Sequence, residues 1–300
     1  MSKEKKRAIG QSGEPSLREQ RSMLCENLSF ISAEAYKQMR ANLLFALPDQ
    51  EGECRIVGVT SSIRGEGKST TAINLAYTLA ETGKMVLLID ADMRVPTVAK
   101  KLAITGKPGL SNVLAGLCTH DKAIQTSYHM TNWHLMPAGD IPPNPSELLG
   151  SEQMGKLLKE LANTYEFIVV DLPPINIVSD ALAISPWVNG LLVVVRAGYT
   201  EKQALTECMR NLQVLENKLL GFVLTDTDQM PKRYGKYGHY GRYSKYGKYS
   251  KYGRYSKYQK YSSYGYYYGK KATAKPVSKT VETVRQTVEQ AVQENAEERK

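Results

Sequence analysis

No stretch of this 300-residue chain approaches the roughly 20 apolar residues that a membrane-spanning helix needs. The lysine-rich start, Met1 to Arg7, has no apolar segment behind it and gives no sign of a secretory leader. A cytoplasmic protein is the expectation. Cysteine is scarce, and Cys25, Cys54, Cys118 and Cys208 are too far apart for a metal or redox spacing, which fits thiols in a reducing compartment. His120, His129, His134 and His239 share no ligand spacing either, so an imidazole metal site has no support. Acid is absent from one segment. Between Pro231 and Lys275 there are 13 Lys and Arg and no Asp or Glu, while the other 27 Lys and Arg face 30 Asp and Glu, a balance of −3. The formal charge of +10 therefore belongs to one tail.

What is present is concentrated in one stretch, Val57-Gly58-Val59-Thr60-Ser61-Ser62-Ile63-Arg64-Gly65-Glu66-Gly67-Lys68-Ser69-Thr70. Ile56 to Val59 reads as a buried strand, and Thr71 to Thr82 has helical periodicity stopped by Gly83. Strand, glycine turn and helix in that order make a phosphate loop. Gly65 and Gly67 let backbone amides approach an anion, Lys68 carries positive charge to the β- and γ-phosphates, and Ser69 offers a hydroxyl to Mg²⁺. Gly65, Glu66, Gly67, Lys68, Ser69 and Thr70 are the residues expected to hold the nucleotide. Ser62 stands where the strict pattern has glycine, so the flanking strand and helix carry the assignment. The rival reading is a glycine turn with a solvated lysine.

Phosphoryl transfer is mostly positioning and charge neutralisation, so such a loop needs carboxylates to hold Mg²⁺. Asp171 ends the apolar run Phe167 to Val170, Asp90 ends Met85 to Ile89, and Asp92 follows two residues later. Each alone could be a capping carboxylate at a strand-to-loop junction. Three of them beside a phosphate loop favour a site.

Further signals alternate between strand and helix. Trp133 to Met136, Leu191 to Val195 and Leu219 to Leu224 read as strands, and Ser146 to Tyr165 and Thr200 to Asn217 as helices. Continuous apolar strands separated by helices predict an α/β fold with a mostly parallel sheet, helices on both faces and ligands at the carboxyl ends of the strands. Upstream, Ser32 is expected to cap a helix from about Ala33 to Leu47. Tyr36, Met39, Leu43 and Leu47 share one face of it, while Glu34, Lys37 and Arg40 form a charged stripe that helix physics alone leaves solvated.

The chain divides into a flexible arm (1–27), a nucleotide-binding domain (28–230), a basic tyrosine segment (231–271) and a short amphipathic end (272–300). In the tyrosine segment Tyr234, Tyr237, Tyr240, Tyr243, Tyr246, Tyr249, Tyr252, Tyr255, Tyr258, Tyr261 and Tyr264 recur every third residue, followed by Tyr266, Tyr267 and Tyr268. With glycine and charge between them and no aliphatic residues, disorder is the expectation. Val277, Val281, Val284, Val288 and Ala291 follow the four-three spacing of a short helix.

Together the phosphate loop, Ile89-Asp90-Ala91-Asp92-Met93-Arg94, Val170-Asp171-Leu172-Pro173-Pro174 and the tyrosine cluster resemble the bacterial tyrosine kinases of capsule and exopolysaccharide assembly. Gly109-Leu110-Ser111 and the stretch from Leu135-Met136-Pro137-Ala138-Gly139 through Pro142 to Leu149 are similar too, so the likeness runs from about Ser32 to Tyr268. The resemblance implies a P-loop fold of the MinD and ParA type, with ATP and Mg²⁺ as cofactors. It implies a catalytic set of Lys68, Asp90, Asp92 and Asp171, with Ser69 and the three aspartates on the metal and Asp90 or Asp92 helping to take the tyrosine proton. It also implies autophosphorylation of the tyrosine cluster in trans, regulation of polysaccharide synthesis and export, and a cognate tyrosine phosphatase. Glu34-x-x-Lys37-x-x-Arg40 looks like the family's Glu-x-x-Arg-x-x-Arg assembly motif, which joins subunits into a homo-oligomeric ring, usually an octamer. Lys37 departs from that motif, and Leu224-Thr225 departs from the Leu-Asn that usually ends the last strand. Without a spanning segment the chain resembles the Gram-positive type, in which a separate transmembrane adaptor recruits a cytoplasmic kinase to the inner face of the plasma membrane and completes its nucleotide site.

A rival from another class is a MinD- or ParA-like ATPase switch whose basic, aromatic tail binds nucleic acid or an anionic surface. Such switches place a second lysine early in the loop, where this chain has Ile63. Nucleic acid is therefore not an expected partner. A third reading makes the tail a scaffold segment beside a vestigial ATPase.

Overall fold

The computed structural model describes residues 24–47, 53–213, 215 and 218–227. The tyrosine cluster, the amphipathic end and most of the N-terminal arm lie outside the described residues. The described residues up to Thr225 belong to one compact unit.

This unit follows the expected alternation. A 3₁₀ turn at Cys25–Asn27 leads into α1 (Phe30–Ala46), then β1 (Arg55–Ser61), α2 (Lys68–Ala80), β2 (Val86–Asp90), α3 (Val98–Leu102), α4 (Leu110–Leu114) and α5 (His120–Ala123). The chain continues through β3 (Gln125–Thr126), β4 (Trp133–Met136), α6 (Pro145–Gly150), α7 (Glu152–Leu161), β5 (Phe167–Asp171), α8 (Asp180–Ala183), β6 (Gly190–Arg196), α9 (Lys202–Gln213) and β7 (Leu219–Thr225). The sheet order is β3-β4-β2-β5-β1-β6-β7, and every pairing is parallel except that of the short edge strand β3 with β4.

β2, β5 and most of β1 and β6 are buried on both faces, which explains their unbroken apolar runs. Register then does the work of assembly. Val59 pairs with Asp171, and Asp90 pairs with Asp171, so β5 and β2 end level with one another while β1 runs on to Ser61 and into the phosphate loop. α2 packs its inner face, Ile73, Leu75, Ala76 and Leu79, into the core with Val57, Val169 and Trp133. Burial pushes the Cys25 and Cys208 thiols up to about 12, so neither is a nucleophile at neutral pH.

Three expectations change. α1 starts three residues early because Ser29, not Ser32, is the cap: its hydroxyl accepts from the Ser32 amide at 3.2 Å. The helix expected from Ser146 to Tyr165 breaks in two, since Ser151 is extended (ψ 157°) and its hydroxyl starts α7 by accepting from the Met154 amide. The antiparallel β3 carries no apolar run and had no sequence signal.

Candidate active site

The phosphate loop joins β1 to α2, and α2 begins at Lys68 itself. Gly65 (φ 83°) and Gly67 (φ 95°) adopt left-handed backbone, which is why glycine stands at these two positions. Glu66, between them, is buried (1% exposed). Its carboxylate faces its own loop, accepting from the Ser62 hydroxyl and the Ile63 amide, both at 2.7 Å, and from the Thr200 hydroxyl. The Glu66 side chain is thus a brace for the loop. Two further ties come from neighbouring strands: Thr225 Oγ1 donates to the Glu66 carbonyl at 2.8 Å, and Arg196 Nη1 to the Gly65 carbonyl at 3.3 Å. Sequence reasoning missed these ties, and the one available signal was an acid lodged between two glycines.

Lys68 Nζ lies 2.8 Å from Asp92 Oδ2 and 3.5 Å from Asp171 Oδ1, and it donates to Ser69 Oγ at 3.3 Å. Burial alone would lower the Lys68 ammonium, but the Asp171 and Asp92 charges outweigh it and hold it above the usual lysine range. Burial raises the Asp171 carboxyl against the opposing pull of Lys68. Its Oδ2 atom is buried with no hydrogen-bond partner among the described residues.

The three aspartates differ in what they hold. Asp90 is fully buried, accepting through Oδ1 from the Asp92 amide and through Oδ2 from the Thr97 and Val98 amides at 3.2 and 3.1 Å. It fastens the start of α3 to the end of β2, while burial and then the Asp171 charge raise its pKa. Asp92 accepts from the Val95 amide at 3.1 Å and lines a small pocket with Val95, Pro173, Pro174, Ile177 and Val178, which Arg64 and Arg94 also line. Arg94 forms a two-pronged pair with buried Asp180 at 3.1 and 3.0 Å, and Ser146 joins it. Among the described residues no three His, Cys, Asp or Glu are arranged to hold a metal by themselves. The donor set fits a nucleotide-borne Mg²⁺, which keeps waters and phosphate oxygens and takes only one or two protein carboxylates; Asp171 Oδ2 and Ser69 Oγ are suited to it.

The stripe on α1 separates. Glu34 and Lys37 pair with each other at 2.8 Å on the surface, whereas Arg40 turns inward and donates to the Thr78 carbonyl on α2. Phe30, Ile31 and Phe45 on this helix are exposed. No helix among the described residues is long and apolar enough to cross a membrane.

A phosphate loop at the end of a central parallel strand, with aspartates ending the two strands beyond it, defines a P-loop protein of the α/β class. Residues 54–221 match a family model described as an AAA domain. Over 209 residues the chain is 37% identical to the tyrosine-protein kinase YwqD of Bacillus subtilis, covering 69% of this chain and 87% of that one. Among solved structures it resembles the chimerical protein CapA2B2 (TM-score 0.62, 34% identity, 66% of this chain and 86% of that one). It also resembles the kinase domain of the Escherichia coli tyrosine kinase ETK (TM-score 0.60, 31% identity, 64% of this chain and 74% of that one). The chain belongs to the bacterial tyrosine-protein kinases.

Proposed function

We propose that the chain binds Mg·ATP between the phosphate loop and the strand-end aspartates and phosphorylates its own tyrosine cluster in trans. The observation that carries this reading is Lys68 held between Asp92 and Asp171 on the first turn of α2. Gly65, Glu66, Gly67, Lys68, Ser69 and Thr70 hold the phosphates, chiefly through backbone amides, with Lys68 on the β- and γ-phosphates. Mg²⁺ when bound neutralises charge on the transferring phosphoryl group; Ser69 and Asp171 hold it, and Asp90 fixes the geometry behind them.

A tyrosine hydroxyl has a pKa near 10, so at neutral pH its proton must be removed as it attacks. Of the two candidate bases, Asp92 is the one that lines a pocket, while Asp90 is fully buried with its carboxylate taken up by backbone amides. The phenolic oxygen forms its bond to the γ-phosphorus, the bond to the β,γ-bridging oxygen breaks with its electron pair leaving on ADP, and the phenolic proton passes to Asp92. Each phosphate adds about −1.5 to −2 charges, so roughly seven to nine would cancel the 13 cations of the tail segment. A basic arm becomes neutral, and that change loosens a ring built through Glu34, Lys37 and Arg40.

The partners follow from the same reading: other copies of this chain, a membrane adaptor whose cytoplasmic segment completes the nucleotide site at the inner face of the membrane, and a tyrosine phosphatase that resets the tail. The process under control is capsular or exopolysaccharide synthesis and export. Support comes from the family membership and from the four motifs in order. The test is Asp92→Asn with γ-labelled ATP. Phosphotyrosine formation drops at least about 100-fold while ATP binding persists, the loss expected when a proton acceptor is removed. Unchanged transfer would remove Asp92 from the chemistry. Addition of an adaptor-tail peptide raises the rate; full activity of the purified chain alone, with no gain from any such peptide, would contradict the adaptor.

A further inference from the structure

α3 carries Lys101 one turn in from the residues that Asp90 fastens. The Thr97 and Val98 amides are pinned to the Asp90 carboxylate, and the Lys101 amide bonds the Thr97 carbonyl at 3.0 Å. That chain of bonds sets the direction of the Lys101 side chain. Its ammonium donates to Thr70 Oγ1 at 3.2 Å, on the third residue of α2. Thr70 follows Lys68 and Ser69, so a second cation stands beside the helix turn that grips the phosphates. Burial holds Lys101 below the usual lysine range, against the opposing pull of Asp171, with the positive charge of Lys68 a smaller contribution in the same direction as burial.

Lys68 and Lys101 thus stand as two ammonium groups in a partly desolvated place, where burial carries a cost for each charge. The ligand that turns this cost into a gain is a polyanion spanning both. We propose that Lys101 is a second lysine of the phosphate site, delivered from α3 to the polyphosphate chain of the nucleotide at the Thr70 side. The proposal rests on the nucleotide-binding reading above.

The test is calorimetric titration of the full chain with Mg·ADP and Mg·ATP at several salt concentrations, for the wild type and for Lys101→Met, Lys101→Gln and Lys101→Arg. Loss of one charge-assisted contact weakens binding by about tenfold in the Met and Gln variants and flattens the salt dependence, while Arg stays within about threefold. Gln keeps a donor for Thr70 without the charge. If Gln binds nucleotide as the wild type does, with the same salt dependence, Lys101 only braces Thr70 and the proposal is overturned. Thermal melting without nucleotide separates this from misfolding, because the Gln and Arg variants melt within about 2 °C of the wild type under the proposal. A wild-type chain that binds neither nucleotide even with the adaptor-tail peptide present would overturn the functional reading itself.

Discussion

The strand-end site and the surface of α1 were both picked out of the sequence by charge, and the fold treats them differently. At the strand ends, parallel register brings Asp90, Asp171 and Lys68 together from positions up to 103 residues apart, in a place where water is scarce. On α1 the charges meet only their helical neighbour or the next helix: Glu34 pairs with Lys37, and Arg40 serves a carbonyl of α2. A charge on an exposed helix keeps water as an alternative partner and specifies little. A charge fixed at the end of a buried strand has no such alternative, so its position specifies chemistry.

Substitutions in the two regions should differ by orders of magnitude. The largest effect is expected from Lys68→Met, which removes the cation between Asp92 and Asp171. Phosphotyrosine formation falls by about 10³-fold or more in an assay with labelled ATP, in keeping with loss of a preorganised charge in phosphoryl transfer. Next comes Glu66→Ala. The Ser62 hydroxyl, the Ile63 amide and the Thr200 hydroxyl lose a buried acceptor, and unfolding in urea reports a loss of about 2–4 kcal/mol together with weaker nucleotide binding. Arg94→Ala leaves the Asp180 carboxylate buried without its fork. The cost is about 2 kcal/mol by the same measurement, below the 3–5 kcal/mol of a fully buried pair because the arginine remains water-accessible.

The smallest effect belongs to α1. Lys37→Ala changes monomer stability by less than about 0.5 kcal/mol, since the pair is exposed at both ends. Its effect is read in the assembly instead. Light scattering should show fewer large oligomers in Lys37→Ala and more in Lys37→Arg, whose planar fork can bind a carboxylate through two bonds. Equal oligomer distributions in all three chains would leave the stripe as a solvated face.

The sequence made the centre of the sheet legible because two-sided burial leaves an unbroken apolar signature, and each such strand ended at an aspartate or beside the loop. It also made the glycine positions legible, since left-handed backbone at Gly65 and Gly67 narrows the choice of residue. The bracing of the loop was not legible. Thr225 lies 159 positions from Glu66 and Thr200 lies 134 away, and nothing local in either residue says which carbonyl or carboxylate it will meet. The inward turn of Arg40 was hidden for the same reason: a three-residue spacing describes a face of one helix, not the helix that packs on it. Ser151 shows a different limit, where a single hydroxyl free to cap ended one helix and began another inside an unbroken periodic pattern.

The most direct measurement mixes two full-length chains: one with Lys68→Met and its tyrosines intact, the other with Lys68 intact and every tail tyrosine changed to phenylalanine. Incubated with Mg·ATP and the adaptor-tail peptide and analysed by tandem mass spectrometry, the mixture should carry phosphotyrosine between Tyr234 and Tyr268 of the Lys68→Met chain, while that chain alone carries none. If the mixture binds nucleotide but the segment stays unmodified, transfer between neighbouring copies is not what this site does.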